Sequence, residues 1–284
     1  MELKKIGIVS MTGIMGSGIA QVCAIAGYQV LGSSRSEDNI KKAIAAINAQ
    51  FTRNVERGRM TAADKDAALA RISGTTKMAD FASCDLVVEC SAENMDIKKK
   101  AFAELDKICP PQVILSSNSS SLSIMDIAVT TSRPDKVLGI HFFNPVPVMK
   151  LVELVKTIAT SDETIATSKQ FCEKVGKTVV IAKDMPGFIV NRLMTPFILN
   201  AIKMLEAGVA TREDIDTAIN LGLNHPMGPL TLVDLIGLDT FLAFADAQYE
   251  GYKDPQFAAP TLLRKMVTAG MLGRKTKKGF YEYK

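Results

Sequence analysis

The fold is decided by residues 5–31, which read Lys5-Ile-Gly-Ile-Val-Ser-Met-Thr-Gly13-Ile-Met-Gly16-Ser-Gly-Ile-Ala-Gln-Val-Cys-Ala-Ile-Ala-Gly27-Tyr-Gln-Val-Leu31. Residues 5–10 predict a short buried strand. The glycine-bearing turn after them opens a helix of small and apolar residues, with Gly27 as its C-cap. Residues 28–31 predict a second strand. Strand, glycine turn, helix and strand form a βαβ unit, whose helix N-terminus is a binding place for a pyrophosphate.

The glycine motif of this unit is incomplete. Gly13 and Gly16 supply the second and third glycines of GxGxxG, but Met11 stands where the first belongs. Because many glycines at helix starts are only turn residues, the motif alone leaves dinucleotide binding and an ordinary turn both open. Glycine suits turns that need positive φ, so Met11 predicts a different loop path. If a dinucleotide binds, the expected contacts are Gly13, Ile14, Met15 and Gly16.

The end of the second strand bears on the choice of cofactor. An NAD site normally places an acidic residue there to hold the ribose 2′-hydroxyl. This chain has Ser34 and Arg35 instead, and both side chains can accept a 2′-phosphate that an aspartate would repel. An ordinary polar loop is the alternative. We expect NADP(H) to be favoured over NAD(H).

The order of elements along the chain predicts two domains. Strands and helices alternate up to residue 185, and from Pro186 the pattern is helical, with helices expected at 187–208, 211–221, 229–247 and 258–269. We therefore expect a Rossmann-like dinucleotide-binding domain at 1–185 and an all-α substrate-binding and dimerisation domain at 186–284. The apolar surplus of the helix at 187–208 fits a subunit interface or an ordinary buried helix.

Composition narrows the class of protein. Of the 284 residues 47% are hydrophobic and 23% are charged, with a net charge of +4, which is typical of a globular protein and gives no basic block for nucleic acid. The five cysteines lack CxxC spacing and are expected to be reduced thiols. No apolar run reaches membrane-spanning length, and the N-terminus leaves no room for a signal peptide. We expect a cytoplasmic protein without a nucleic-acid or membrane partner.

Residues 137–153 hold the strongest candidate for chemistry. An apolar run delivers His141, one of two histidines, to the end of a predicted strand, and imidazole is the side chain that titrates near neutrality. Glu153 is the single acid in the following apolar strand and would be costly to bury without a partner. The two are therefore predicted to pair. A hydrogen-bonded core histidine is the alternative.

Two other polar groups are candidates for binding. Residues 117–123 contain five serines and Asn118 beyond a strand end, where open α/β sheets bind ligands, although such residues also cap helices. One of these residues is expected to cap a helix that begins near Leu122. Arg53 and Arg57 are spaced i, i+4 on a predicted helix and could clamp a phosphate, or form part of a solvated face.

The sequence lacks the motifs of several classes of enzyme. The sequence has no HExxH or paired Cys/His metal site, no GxSxG and no Walker A lysine. What remains suits reversible oxidation of a secondary alcohol with a nicotinamide carrying the hydride. His141 would take the hydroxyl proton, and Glu153 would fix the tautomer of its imidazole. Ser120 and Asn191 could hydrogen-bond the substrate oxygen.

The chain resembles the short L-3-hydroxyacyl-CoA dehydrogenases, and among them the bacterial (S)-3-hydroxybutyryl-CoA dehydrogenases of butyrate metabolism. The resemblance runs nearly end to end. Its motifs are Gly16-Ser-Gly-Ile-Ala-Gln21, Ser117-Asn-Ser-Ser-Ser-Leu122, His141-Phe-Phe-Asn-Pro145, Met149-Lys-Leu-Val-Glu153, Pro186-Gly-Phe-Ile-Val-Asn-Arg192, Asn224-His-Pro-Met-Gly-Pro229, Gly273-Arg-Lys275 and Lys278-Gly-Phe-Tyr281.

The resemblance implies a fold, a reaction and site residues. It implies a mostly parallel, doubly wound α/β domain followed by an all-α domain, a homodimer, and conversion between acetoacetyl-CoA and (S)-3-hydroxybutyryl-CoA in fatty acid or butyrate metabolism. His141 becomes the catalytic base, Glu153 its partner, Ser120 and Asn191 the groups that orient the substrate oxygen, and Arg53 and Arg57 the contacts to CoA. The residues implied at the cofactor are Ala92, Glu93, Lys98, Asn118, Asn144 and Lys275. No metal site is implied.

Two departures from the family lie in cofactor binding, at Met11 and at Ser34, where the family has a glycine and an acid. Two other functions remain open. A Rossmann dehydrogenase of a free hydroxy acid would be favoured if Arg53 and Arg57 did not recognise CoA. A non-catalytic dinucleotide sensor would have no need of the pair formed by His141 and Glu153.

Overall fold

The computed structural model describes residues 2–284. The chain forms two compact units, of which the first ends at Met185 and the second begins at Pro186. The first unit alternates strands and helices, and the second is helical. The roles predicted for the two units, cofactor binding and substrate binding with dimerisation, stay predictions at this point.

Within residues 2–185 the first unit contains eight strands and six α-helices. The strands are β1 (Lys5–Val9), β2 (Gln29–Ser33), β3 (Ile72–Thr75), β4 (Leu86–Glu89), β5 (Ile114–Ser117), β6 (Val137–Phe142), β7 (Leu151–Lys156) and β8 (Thr178–Lys183). The helices are α1 (Ile14–Ile25), α2 (Glu37–Glu56), α3 (Ala62–Ala70), α4 (Met95–Ile108), α5 (Ile124–Ala128) and α6 (Asp162–Lys174).

All eight strands form one sheet, in the order β3-β2-β1-β4-β5-β6-β7-β8. Neighbouring strands run parallel except β6 and β7, which are antiparallel. This is the mostly parallel, doubly wound sheet that the sequence predicts. Strands β4, β5 and β6 are buried along their whole length, as expected for strands covered by helices on both faces.

Helix starts in this unit follow local capping chemistry. The side chains of Ser36, Asn94 and Ser161 accept hydrogen bonds from backbone N–H groups in the first turns of α2, α4 and α6. The helix expected near Leu122 begins two residues later, at Ile124, because Ser123 is the residue that caps it. Gly27 follows α1 with φ +93°, the left-handed conformation that glycine adopts at a helix end.

The second unit is built from α7 (Val190–Glu206), α8 (Arg212–Gly222), α9 (Pro229–Ile236), α10 (Leu238–Tyr252) and α11 (Thr261–Thr268). Its core gathers apolar residues such as Ile198, Leu230 and Phe241. The prediction of one helix over 229–247 is wrong. Gly237 has φ +98°, which ends α9 and starts α10 in a new direction.

Two features are absent from residues 2–284. No helix within residues 2–284 has the length and apolar character needed to cross a membrane. The same residues contain no group of three or more His, Cys, Asp or Glu side chains that could hold a metal ion. Cytoplasmic location stays a prediction.

Candidate active site

The turn after β1 accommodates Met11 through its neighbour on β2. The positive φ in this turn belongs to Ser10, at 62°, and Met11 itself is fully buried. Its side chain lies over Gly32, where an added Cβ would come within 2.1 Å of the Met11 sulfur. The Met11 amide donates to the Ser33 carbonyl at 3.0 Å. Met11 is therefore fitted into the fold by the absence of a side chain at Gly32.

The first turn of α1 fits a dinucleotide pyrophosphate. Gly13 precedes the helix in an extended conformation and carries no side chain to cap it, while Ile14 is 77% exposed. A Cβ on Gly16 would lie 2.5 Å from the Ser10 carbonyl oxygen, so only glycine permits this approach of helix and strand. Backbone N–H groups at such a helix end attract an anionic group. The residues at 13–16 therefore fit the pyrophosphate-binding turn that the sequence predicts.

An open cleft lies between α1, α2 and the turn that follows β6. Its lining consists of Ile14, Ser17, Gly18, Gln21, Gln50 and residues 144–148. The turn packs closely on α1, since a Cβ on Gly18 would lie 2.8 Å from the Val146 Cβ. The cleft thus has Asn144 at one wall and the exposed Ile14 at the other.

Lys177 anchors this turn by hydrogen bonds. The sequence alone does not indicate this role. Its side chain is only 7% exposed and its Nζ donates to the carbonyls of Val146 at 2.5 Å and Met149 at 2.8 Å. Burial, together with the neighbouring charge of Lys150, lowers the pKa of Lys177. Only the three-dimensional structure shows its role, because Lys177 lies some thirty residues from the turn.

His141 and Glu153 form the pair that was predicted. They are direct register partners across the antiparallel strands β6 and β7, and His141 Nδ1 lies 2.7 Å from Glu153 Oε2. Glu153 is fully buried and His141 is 5% exposed. With the carboxylate as acceptor, Nδ1 carries the proton and Nε2 keeps a lone pair for an incoming proton. The ring of Phe143 packs against the imidazole with centroids 4.5 Å apart, which restricts its rotation.

Glu93 organises the serine-rich loop after β5. Its Oε1 accepts from the Ser119 hydroxyl at 2.6 Å and from the amides of Ser120 at 2.9 Å and Ser121 at 3.0 Å. Burial acts to raise the pKa of Glu93, but these hydrogen bonds and the charge of Lys98 together hold it below its usual value. The loop that carries Ser120 is thereby fixed by a single carboxylate.

A second carboxylate, Glu89, lies beneath this loop and was not predicted as a site residue. It is fully buried at the end of β4, where Lys98 donates to it at 2.8 Å and Ser117 at 3.0 Å. Lys98 is 1% exposed and its Nζ lies 3.6 Å from Glu93. The signal in the sequence was an acid at the end of a buried strand, with a lysine on the helix that follows.

Asn118 and Asn144 take different positions at the carboxyl edge of the sheet. The Asn118 side-chain oxygen accepts from the Phe142 backbone N–H at 2.9 Å, and the Asn118 backbone N–H donates to the Glu89 carbonyl at 2.9 Å. It thus ties together the ends of three neighbouring strands, β4, β5 and β6. Asn144 is exposed in the cleft. Ala92 is exposed in the loop between β4 and α4.

The residues predicted for the cofactor ribose lie where β2 ends. The Ser34 amide donates to the Thr75 carbonyl at 3.1 Å, and the Arg35 side chain is exposed. The position of both agrees with the place where a Rossmann domain binds the adenosine ribose.

Arg53 and Arg57 lie in the last turn and at the C-cap of α2, and both are exposed. The Arg53 guanidinium donates to the Gln50 side chain at 2.7 Å, and Gln50 lines the cleft. Neither arginine has an acidic partner recorded in the part of the chain described here, residues 2–284. Arg53 therefore offers a cation beside the cleft, and Arg57 offers a second one at the end of the same helix.

The two predicted site residues of the helical unit, Asn191 and Lys275, have partners within that unit. Asn191 is 7% exposed, and its carbonyl accepts from the Gln248 side chain at 3.3 Å. Lys275 forms an ion pair with Asp239, and its role at the cofactor stays a prediction. The ring of His225 packs on Phe197 with centroids 5.8 Å apart.

Known proteins resemble the chain over its whole length. A 3-hydroxybutyryl-CoA dehydrogenase of Bradyrhizobium diazoefficiens is 46% identical over 282 residues, which cover 99% of this chain and 96% of that protein. Another from Clostridioides difficile is 46% identical over 283 residues, covering 100% and 99%. The solved structure of (S)-3-hydroxybutyryl-CoA dehydrogenase PaaH1 from Ralstonia eutropha has a TM-score of 0.97 at 44% identity, with 100% of both chains covered.

Family models account for both units. The model described as "3-hydroxyacyl-CoA dehydrogenase, NAD binding domain" matches residues 5–185, so the cofactor of this domain is a nicotinamide dinucleotide. The model described as "3-hydroxyacyl-CoA dehydrogenase, C-terminal domain" matches residues 187–283. These matches confirm the resemblance that the sequence motifs indicate. The chain belongs to the 3-hydroxyacyl-CoA dehydrogenase family.

Proposed function

We propose that the protein interconverts (S)-3-hydroxybutyryl-CoA and acetoacetyl-CoA with a nicotinamide dinucleotide. The observation that carries the proposal is the buried hydrogen bond between His141 and Glu153 at the carboxyl edge of a dinucleotide-binding sheet. The names of the relatives, which are 3-hydroxybutyryl-CoA dehydrogenases, support the choice of substrate.

In this proposal His141 moves one proton. During oxidation the Nε2 lone pair accepts the proton of the 3-hydroxyl group, and the C3–O bond becomes a carbonyl. A nicotinamide dinucleotide held at residues 13–16 would supply a hydride acceptor for C3. Glu153 holds the proton on Nδ1 before the transfer and stabilises the imidazolium after it. In the reverse direction His141 returns the proton to the carbonyl oxygen.

Other side chains hold the reactants. Ser120 would form a hydrogen bond with the 3-oxygen, and the loop that carries it is fixed by Glu93. Asn191 is proposed for the same oxygen on the strength of the family motif at 186–192. Arg53 and Arg57 would bind phosphates of CoA, and this is supported by their exposed side chains, for which the structure records no ion pair within residues 2–284. Asn118, Asn144, Glu93, Lys98, Ala92 and Lys275 are proposed at the cofactor.

We also propose that NADP(H) is preferred to NAD(H). Ser34 and Arg35 stand where an acid would otherwise hold the ribose 2′-hydroxyl, and a guanidinium attracts a 2′-phosphate.

A homodimer is proposed from the family resemblance, and light scattering in solution tests it.

The test of the proposed function is a spectrophotometric assay of purified protein. We expect oxidation of NADPH on addition of acetoacetyl-CoA, and much weaker activity with free acetoacetate. Activity with acetoacetate equal to that with the thioester would favour a dehydrogenase of free hydroxy acids. Binding of NADPH without turnover of either compound would favour a dinucleotide sensor.

A further inference from the structure

The loops that follow β2 and β3 lie side by side at the carboxyl edge of the sheet. The two strands are parallel neighbours, with Ser33 the register partner of Thr75. The pairing continues one residue further, because the Ser34 amide donates to the Thr75 carbonyl at 3.1 Å. Arg35 and Lys77 therefore each lie two residues beyond a registered pair, on backbones about 4.8 Å apart at the strand ends.

A local hydrogen-bond network fixes the backbone at Lys77. The Thr75 hydroxyl accepts from the Lys77 amide at 2.9 Å and donates to the Asp80 carboxylate at 2.5 Å. These bonds form the turn that ends β3, which is the edge strand of the sheet. Asp80 is thereby engaged by Thr75 within the turn.

The side chains of Arg35 and Lys77 are both exposed. Across residues 2–284 the structure records no ion pair for either. The nearby acids Glu37 and Asp38 lie in the first turn of α2, where carboxylates stabilise the helix dipole. Two cations in adjacent loops are thus available at the end of β2.

We propose that Lys77 is a specificity-determining residue, which together with Arg35 binds the 2′-phosphate of NADP(H). The proposal rests on the NADP(H) preference proposed above. The adenosine ribose of a Rossmann domain binds at the end of β2, so its 2′-position faces the loop that carries Ser34 and Arg35. A phosphate monoester carries nearly two negative charges and is bound best by more than one charge-assisted contact. Lys77 supplies the second cation from the neighbouring loop.

Equilibrium binding of cofactors and of their adenosine fragments tests this role. We would measure, by calorimetry, the affinity of the wild-type protein, Lys77→Gln and Lys77→Arg for NADPH, NADH and adenosine 2′,5′-bisphosphate. Lys107→Gln is the matched control, because Lys107 is exposed in the last turn of α4 and its helix end points to the opposite edge of the sheet. Loss of one charge-assisted contact is expected to weaken binding about tenfold.

The expected result is an approximately tenfold loss of affinity for NADPH and for adenosine 2′,5′-bisphosphate in Lys77→Gln, with NADH binding changed less than about twofold. Lys77→Arg should keep most of the affinity, and Lys107→Gln should match the wild type. If the wild type prefers NADPH and Lys77→Gln binds NADPH equally well, the role proposed for Lys77 is wrong and the proposed NADP(H) preference stands. A wild type that prefers NADH would overturn the cofactor proposal and this one together.

Discussion

His141 Nδ1 lies 2.7 Å from Glu153 Oε2, and the two residues face each other as register partners in the antiparallel pair of strands β6 and β7. A two-residue shift in this register would separate the ring from the carboxylate, because side chains on one face of a strand repeat every second residue. The chemistry of the site therefore depends on the pairing of two strands that are joined by the turn at 143–150.

Replacement of Glu153 by glutamine tests the part that the carboxylate plays. Glutamine keeps the size of the side chain but cannot stabilise an imidazolium by charge. We expect kcat to fall on the order of 10²-fold to 10⁴-fold while cofactor KM changes little. Steady-state kinetics with acetoacetyl-CoA measures both constants. Equal kcat in Glu153→Gln and the wild type would show that the charge of Glu153 is not used.

Arg53 and Arg57 should contribute to binding of CoA and not to the chemical step. We expect Arg53→Gln and Arg57→Gln each to raise KM for acetoacetyl-CoA about tenfold, with kcat retained, since each removes a charge-assisted contact to phosphate. The control substrate is the acetoacetyl thioester of N-acetylcysteamine, which lacks the nucleotide part of CoA. If its KM rises by the same factor in these variants, the arginines do not bind the nucleotide.

Lys177 should act on cofactor binding through the turn at 144–149. Lys177→Met removes both hydrogen bonds to the Val146 and Met149 carbonyls, so the wall of the cleft that carries Asn144 loosens. We expect a several-fold rise in cofactor KM, a smaller change in kcat, and a loss of stability of about 1–3 kcal/mol.

The matched control for Lys177 is Lys183→Met, because Lys183 is exposed at the end of β8 and does not contact the turn at 144–149 through any recorded hydrogen bond within residues 2–284. This variant should resemble the wild type in both KM and stability. An unchanged cofactor KM in folded Lys177→Met would remove the link between this lysine and the cleft.

Glu93 should make the stability of the protein depend on pH in the acid range. Its pKa in the folded protein lies below the ordinary value of 4.5, so its carboxylate stabilises the fold above pH 4.5 and this contribution is lost as the pH falls through the folded pKa. Since Glu93 is partly exposed, we expect Glu93→Gln to cost only about 1 kcal/mol at pH 7. Urea unfolding at pH 7 and pH 3.5 measures the difference, which should shrink at the lower pH. A difference that grows on acidification would contradict this account of Glu93.

The sequence predicts well what depends on local chemistry. The βαβ unit at 5–31 follows from its glycines and apolar runs, and the partnership of His141 with Glu153 follows from the cost of burying a lone acid. The glycine turn at Gly13 precedes α1 where the motif places it. The motifs shared with the family also indicate that the serine-rich loop at 117–122 belongs to the site.

What the sequence does not show depends on contacts between distant segments. Lys177 reaches a turn some thirty residues away, and the loops that carry Lys77 and Arg35 are adjacent only because β3 pairs with β2. Met11 is tolerated because its side chain lies over Gly32 on another strand. A break in a long helical pattern, at Gly237, also escaped prediction, since an isolated glycine is often accommodated within a helix.

The most direct test of the central claim is the turnover of His141→Ala, measured with acetoacetyl-CoA and NADPH alongside calorimetric binding of NADPH. His225→Ala is the control, because it removes the other histidine, and it should keep kcat within about twofold. We predict that His141→Ala loses turnover by a factor on the order of 10³ or more while binding NADPH like the wild type. Near-normal turnover in His141→Ala would contradict the assignment of His141 as the group that transfers the proton.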